Sequence, residues 1–192
     1  MIVFEKIRWK NFLSSGNSFL ETNLNSNSTT LIVGHNGAGK STILDALCFA
    51  LFGKPFREIK KEQLINSINL GGTEVELEFR ISSNRYRIKR GIKPNIFEVY
   101  QNDELVNQTS TIADYQKQLE HQILKFNYRT FTQVVILGSS TFVPFMELKA
   151  PHRREVIEDI LDIKIFSIMN MLTKIRLKEI DEQVKDIDRD IT

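Results

Sequence analysis

Residues 34–41 read Gly-His-Asn-Gly-Ala-Gly-Lys-Ser, and no other stretch of this 192-residue chain restricts its fold as tightly. The pattern is G-x-x-x-x-G-K-[ST] without a gap. An apolar run, Thr29-Thr30-Leu31-Ile32-Val33, precedes it and reads as a strand. After it, from about Lys40 to Phe52, Ile43, Leu44, Leu47 and Leu51 share one helical face, and Gly53 with Pro55 just beyond signals the stop. Strand, glycine-rich turn and helix N-terminus together make an anion cradle. The glycines let the backbone curl so that successive N–H groups point at a β-phosphate, and the helix end adds its dipole. Lys40 brings a mobile charge to the β- and γ-phosphates, Ser41 a hydroxyl for Mg²⁺, and Thr42 a hydroxyl for the α-phosphate. The expectation is a nucleoside triphosphate with Mg²⁺, held by Gly34, Asn36, Gly37, Ala38, Gly39, Lys40, Ser41 and Thr42.

Hydrolysis needs further groups: a carboxylate on a buried strand for the metal's water shell, and another to polarise the attacking water. Apart from Met1-Ile2-Val3-Phe4 before Glu5 at the very start, no run of four apolar residues is followed by Asp or Glu. Val134 to Leu137 reads as a short strand but runs into Gly138-Ser139-Ser140, and Glu158-Asp159 lies in a helical pattern. Asp45 falls on the first turn of the helix after the loop, where a negative charge suits the dipole or a polar packing contact. The catalytic set is incomplete, so this stretch alone is expected to be inactive.

The rest of the chain divides by periodicity. Ile2-Val3-Phe4, Ile7-Arg8-Trp9 and Ser18-Phe19-Leu20 read as strands, with a turn over Asn23 to Ser28. Residues 73–100 alternate with period two. Val75, Leu77 and Phe79 point one way and Glu74, Glu76 and Glu78 the other. Beyond the turn at Ser82-Ser83-Asn84, the runs 85–89 and 96–100 continue an antiparallel meander with one wet face. Residues 110–162 are mainly helical or mixed. From Lys164 to Thr192 there is neither Gly nor Pro. Ile165, Ile168, Leu172 and Ile175, then Leu177, Ile180, Val184, Ile187 and Ile191, repeat at heptad spacing with a phase slip between the two sets. Such a helix would run about 43 Å, too long to fold back on a domain this small. The alternatives are an ordinary amphipathic core helix or, favoured by sparse apolar positions amid dense charge, an exposed helix awaiting a coiled-coil partner and still running where the sequence stops.

Composition narrows the class further. Hydrophobic residues make up 41% and charged residues 26%, enough for a packed core, while the length excludes two well-built α/β domains. A single cysteine, Cys48, excludes an internal disulfide framework and a cysteine-rich zinc site and suits a reducing compartment. His35, His121 and His152 lack metal-ligand spacing. The longest apolar run, Ile43 to Phe52, is short for a bilayer and contains Asp45. The reading is soluble, cytoplasmic and without a membrane partner. The formal net charge of +2 conceals a basic stretch: Arg80 to Phe97 holds Arg80, Arg85, Arg87, Lys89, Arg90 and Lys93 with no acidic residue. Lys54, Arg57, Lys60 and Lys61 form a second cluster, diluted by Glu58 and Glu62. Arg85, Arg87, Lys89, Lys54 and Arg57 are therefore candidates for the DNA backbone. The alternative is a solvated sheet face in which these cations partner the glutamates of 74–78, with Arg90 structural.

Lys10-Asn11-Phe12, the phosphate loop with its Asn36-Gly37, Ser41-Thr42-Ile43-Leu44-Asp45-Ala46, the meander Thr73 to Arg90 and the heptads after residue 163 together resemble the SbcC-type repair ATPases. These are relatives of structural-maintenance-of-chromosomes proteins and of ABC-type ATPases. The wording from Ile136 to Met146 resembles the T-even phage branch of that family. The resemblance implies an α/β fold: the N-terminal lobe of an ABC-type P-loop ATPase head, with a mixed sheet plus an antiparallel meander, over residues 1–163. The start of an antiparallel coiled coil would follow at 164–192. It implies ATP and Mg²⁺ as cofactors, and four partners: the C-terminal lobe of the same protein, a second protomer closing over ATP, an SbcD-type nuclease subunit, and double-stranded DNA. The Q-loop glutamine of the family aligns with Ser139, with Gln133, six residues earlier, as the alternative. Where many relatives carry an arginine after Asn-Phe, this chain has Leu13.

Other readings share the loop. A chromosome-tethering or transporter-type ATPase would lack the nuclease partner, and transporter heads lack a heptad helix at this point. A small P-loop kinase would transfer phosphate as it stands, but the arginine-rich lid is missing and the heptads have no place in it.

Overall fold

A computed structural model of the chain describes residues 2–106, 111–136, 143–161 and 163–191. By contact the chain divides into two units, Met1–Phe142 and Val143–Thr192.

In the first unit six strands form one antiparallel sheet in the order β2-β1-β3-β4-β5-β6. They are β1 (Ile2–Lys10), β2 (Leu20–Asn23), β3 (Thr73–Ile81), β4 (Asn84–Ile92), β5 (Ile96–Gln101) and β6 (Glu104–Leu105). The period-two alternation sets the register. Val75, Leu77 and Phe79 of β3 are fully buried, while Glu76, Glu78 and Glu74 lie opposite Lys89, Arg87 and Gly91 on β4. The turn between these strands occupies Ser82 and Ser83, with Ser82 left-handed at φ 54°.

Helix α1 (Thr42–Phe52) lies on the apolar face of the sheet. Ala46, Cys48, Phe49, Ala50 and Leu51 on it have no exposed surface, so the helix is enclosed on nearly every side. It ends as the sequence anticipates: Gly53 adopts φ 68°, and its N–H donates to the carbonyl of Phe49. Phe4, Phe52, Phe79, Phe126, Tyr128 and Phe131 form a connected aromatic cluster that ties α1 and the sheet to the helical segment beyond. That segment comprises α2 (Ile112–Gln118), a π-helical turn over Leu119–Leu124 and α3 (Tyr128–Val134).

Two sequence expectations fail here. Thr29 to Val33 forms no strand and pairs with none among the described residues, and Leu31 and Val33 are 85% and 81% exposed. An apolar run specifies a buried strand only where neighbours supply its backbone partners, and the sheet of this unit ends at β2 and β6. The strand expected at Val134 to Leu137 is instead the end of α3. Asn127 caps that helix by accepting from the N–H of Thr130, Phe131 anchors it in the core, and Val135 still donates to the carbonyl of Phe131. The β-branched pair Val134-Val135 has no sheet to join, and the capped helix takes it. Leu137 lies outside the described residues.

The second unit contains a short 3₁₀ turn (Phe145–Glu147), α4 (Ala150–Ile160) and α5 (Lys164–Ile191). Helix α5 begins where the heptads begin and runs unbroken for 28 residues, about 42 Å. Its apolar positions from Ile165 to Ile187 are about half exposed or more. The hydroxyl of Ser167 donates to Glu158, fastening the start of α5 to α4. No helix among the described residues is long and apolar enough to cross a membrane.

Candidate nucleotide-binding site

The loop between Val33 and α1 curls as its glycines require. Gly37 and Gly39 sit at φ 85° and 84°, a region that residues with a Cβ rarely adopt. Ala38 donates to the carbonyl of His35 and Thr42 to that of Gly39, which closes the loop onto the first turn of α1. Lys40 Nζ donates to the carbonyl oxygens of Gly34 and His35 at 2.7 and 2.8 Å, so its charge is held over the loop. Ser41 occupies the cap position of α1, and its hydroxyl makes no capping hydrogen bond.

Asn36, Gly37, Gly39, Lys40, Ser41 and Thr42 line a cleft of about 590 Å³. Gly34 and Ala38 belong to the same loop but do not line the cleft. The other residues that line it were not anticipated as a set: Leu13, Ser14, Arg57, Gln63, Ile65 and Ser67. Leu13 takes φ 53°, and its N–H donates to the carbonyl of Leu64, which holds the turn after β1 against the segment after α1. These residues carry no periodicity and come from three separate stretches, so no sequence pattern links them.

Arg57, a DNA candidate by sequence, lines this cleft. Its Nε and Nη2 lie 2.7 and 2.6 Å from Asp45 Oδ2, and the fully buried Asp45 carboxylate also accepts from the N–H groups of Phe56 and Arg57. Asp45 is thus a packing anchor for the segment that returns toward the loop.

The remaining DNA candidates lie elsewhere. Arg85 pairs with Glu78 at 2.6 Å and lies 3.8 Å from Glu5. Lys89 pairs with Glu74 at 3.0 Å and approaches Glu76 at 3.9 Å. The guanidinium of Arg87 covers the ring of Tyr100 at 4.4 Å. The hydrogen bond to Glu78 raises Arg85 above its ordinary value, and the one to Glu74 does the same for Lys89. Lys54 is exposed directly after Gly53. Arg90 is buried. It donates from Nε to the carbonyl of Ala50 and from Nη2 to Gln116 Oε1, and it stacks 3.7 Å over Phe97. Burial pushes its guanidinium down to about 9.

Of the two Q-loop candidates, Ser139 lies outside the described residues. Gln133 is on α3, with its Oε1 buried and without a hydrogen-bond partner among the described residues.

The donor set fits a polyphosphate. Curled backbone N–H groups, a lysine ammonium and a helix N-terminus face one cleft, and the uncommitted Ser41 hydroxyl suits a hard cation such as Mg²⁺.

A family model described as an AAA domain matches residues 6–192. The chain is 42% identical over 169 residues to exonuclease subunit 2 of Enterobacteria phage T4, an alignment covering 88% of this chain and 30% of that protein. With exonuclease subunit 2 of Escherichia phage RB69 the identity is 39% over 183 residues, covering 95% and 32%. A DNA double-strand break repair Rad50 ATPase of Thermoplasma volcanium is 29% identical over 193 residues, covering 97% and 21%. The chain therefore spans about a fifth to a third of the length of these relatives. Among solved structures, the Smc head domain with a coiled coil and joint from Pyrococcus yayanosii has a TM-score of 0.64 at 24% identity, over 98% of this chain and 38% of that one. That likeness shows the fold alone, that of part of an Smc head domain. With a phosphate loop closed onto α1 and a match that runs from β1 through α5, the chain belongs to the AAA domain family.

Proposed function

We propose that residues 1–163 are the ATP-binding lobe of a DNA repair and recombination ATPase, and that residues 164–192 are the base of its outgoing coiled-coil helix. In this reading ATP is held between the loop of one protomer and the face of a second. Double-stranded DNA lies on the paired heads, and an SbcD-type nuclease subunit is regulated during processing of double-strand breaks. The reaction is hydrolysis of ATP to ADP and phosphate, in the cytoplasm, the host's if the protein is phage-encoded. The names of the relatives, an exonuclease subunit and double-strand break repair ATPases, support this assignment.

The observation that carries the reading is the incompleteness of the site. No carboxylate is among the residues that line the cleft, and the apolar segment feeding the loop, Leu31 to Val33, has no sheet partner among the described residues. A C-terminal lobe of the same protein would supply the missing strands and the carboxylates that hydrolysis requires.

The residues of this chain then divide the work. The loop N–H groups hold the β-phosphate. Lys40 exchanges the carbonyls of Gly34 and His35 for the β- and γ-phosphate oxygens. Ser41 would hold Mg²⁺, which when bound neutralises charge developing on the transferred phosphoryl group. Thr42 stands at the α-phosphate. Arg57 brings a second cation to the cleft, where Leu13 brings none. Ser139, or Gln133 on α3, would couple the metal site to head movement. For DNA, the exposed Lys54 is better placed than Arg85 and Lys89, whose charges face carboxylates.

The test is Lys40→Ala in the complete protein. Sedimentation with ATP should show that head pairing is lost, and turnover should fall to background. Unchanged turnover would refute the role given to Lys40, and appreciable hydrolysis by residues 1–192 alone would refute the incomplete site. An SMC-like tether would behave identically in both assays but bring down no nuclease from its host.

A further inference from the structure

Two peptide groups lead from the end of α1 into Arg57, Pro55–Phe56 and Phe56–Arg57, and each is held on both sides. On one side, Asp45 Oδ1 accepts from the N–H of Phe56 at 3.1 Å and from that of Arg57 at 3.0 Å. On the other, the hydroxyl of Tyr128 donates to the carbonyl of Pro55 at 2.9 Å and lies 3.4 Å from that of Phe56. The C=O and N–H of a trans peptide point in opposite directions, so the carboxylate and the phenol hold the segment from opposite sides. Together they fix the rotation of both peptide groups. That rotation sets the direction in which the Arg57 side chain leaves the backbone.

The phenol is itself firmly placed. Asn127 caps α3 one residue before Tyr128, and the Thr132 hydroxyl donates back to the carbonyl of Tyr128 at 3.0 Å. The Tyr128 ring meets that of Phe52 edge-on, with centroids 5.5 Å apart. Burial above all pushes the phenol up to about 12, so the oxygen keeps its proton and remains a donor. What it steadies is a cation at the nucleotide cleft. Arg57 lines that cleft, and Asp45 Oδ2 engages its Nε and Nη2. Among the described residues no hydrogen bond or ion pair takes Nη1, which leaves that corner of the guanidinium for a phosphate oxygen.

We propose that Tyr128 is a positioning residue for nucleotide binding, holding the Pro55–Arg57 segment so that the Arg57 guanidinium meets the polyphosphate. This rests on the reading above that the cleft takes ATP. Tyr128 stands 73 residues from Pro55 and does not itself line the cleft. It therefore acts on the nucleotide only through Arg57, and that dependence separates it from a residue that merely supports the fold.

A double-mutant cycle in the complete protein tests this. Tyr128→Phe keeps the ring on Phe52 and removes only the hydroxyl. Its affinity for a fluorescent ATP analogue should fall about threefold to tenfold, the contribution of one hydrogen bond. In an Arg57→Ala background the same change should leave affinity unaltered. Inorganic tripolyphosphate, competing for the analogue, should lose affinity to Tyr128→Phe in parallel, whereas AMP should lose little. That comparison needs no change at Arg57, so it decides the matter even if Arg57→Ala does not fold. If the parent fails to bind the analogue, the ATP reading falls and this proposal with it. If the parent binds and either Arg57→Ala or Tyr128→Phe binds equally well, ATP keeps its place in the cleft and the positioning role is overturned. Equal losses in both backgrounds, or equal losses for AMP and tripolyphosphate, would make Tyr128 a residue of the fold alone and overturn the role likewise.

Discussion

The carboxylate of Asp45, fully buried on the first turn of α1, grips the guanidinium of Arg57 at 2.6 and 2.7 Å, twelve residues further along the chain. It also accepts from the backbone N–H groups of Phe56 and Arg57. One side chain therefore fastens the segment leaving α1 to the helix that begins at the phosphate loop. Asp45→Ala leaves two backbone donors and a half-exposed guanidinium without their acceptor. The expected loss is about 2–4 kcal/mol, mostly from the backbone donors because water screens the arginine. Thermal unfolding should show a drop of roughly 5–15 °C. Asp45→Asn, which keeps one acceptor oxygen, should lose less.

Arg57→Ala separates two effects of the same pair. The Asp45 carboxylate keeps its two backbone donors, so stability should fall by only about 1–2 kcal/mol. If Arg57 serves the cleft it lines, affinity for an ATP analogue should fall about tenfold, while AMP, with its single phosphate, should be affected much less. Equal small effects on both ligands would leave Arg57 a purely structural residue.

Gly53→Ala strikes the opposite end of α1. Gly53 is left-handed at φ 68°, and an added Cβ would stand 3.0 Å from Nη1 of the buried Arg90, whose Nε holds the carbonyl of Ala50. Backbone strain and displacement of the guanidinium together should cost about 1–3 kcal/mol in chemical denaturation. The same substitution at Gly16, which has open space around it and no left-handed backbone, should be nearly neutral.

The Glu74–Lys89 pair predicts a stability plateau in pH. Burial pushes the Glu74 carboxyl up. The hydrogen bonds to Lys89 and Glu76 and the charges of Lys89 and Lys10 outweigh it and hold the group below its ordinary value. A depressed carboxyl contributes stability above its unfolded value of about 4.3 and loses it as pH falls through the folded value. Lys89 is raised, chiefly by its hydrogen bond to Glu74. It contributes below its unfolded value of about 10.4 and loses that contribution as pH rises through the folded value. The contribution of this pair should be flat from roughly pH 5 to 10, read as the difference in denaturation midpoint between the parent and the two variants below. Glu74→Gln should soften the acid limb and Lys89→Met the alkaline limb, each by under about 1 kcal/mol because Lys89 is partly exposed.

Charge pairing also sorts the candidates for DNA. Arg85 faces Glu78 and Glu5, whereas Lys54 is exposed beside the end of α1. In the complete protein, Lys54→Ala should reduce the slope of log affinity against log salt by about 1, the loss of one phosphate contact. Arg85→Ala should leave that slope unchanged. The reverse pattern would return the DNA surface to the meander.

Much of this was legible along the chain. The phosphate loop, α1 with its glycine stop, the alternating meander and the long heptad helix are set by patterns of two to seven residues, and each stands where its pattern put it. The rest of the cleft lining was not legible. Leu13, Arg57, Gln63, Ile65 and Ser67 meet because Asn66, Asp45 and the backbone bond from Leu13 to Leu64 tie separate turns together, and the pairing of distant polar groups leaves no period to read. Local preference failed where pairing had to decide. Val134-Val135 favours a strand but sits at the end of a helix capped by Asn127, and Leu31 to Val33 favours a strand but has no neighbour to bond.

By itself, then, the sequence determined the phosphate-binding turn, the helix it opens and the two faces of the sheet, because backbone conformation and side-chain alternation are local properties. Only the tertiary structure decided that Arg57 stands in the nucleotide cleft and that Arg85 and Lys89 are paired with glutamates. It likewise decided that Tyr128 of α3 holds the backbone leading into Arg57. In each case the outcome depends on which charges and hydrogen-bonding groups meet across tens of residues of intervening chain.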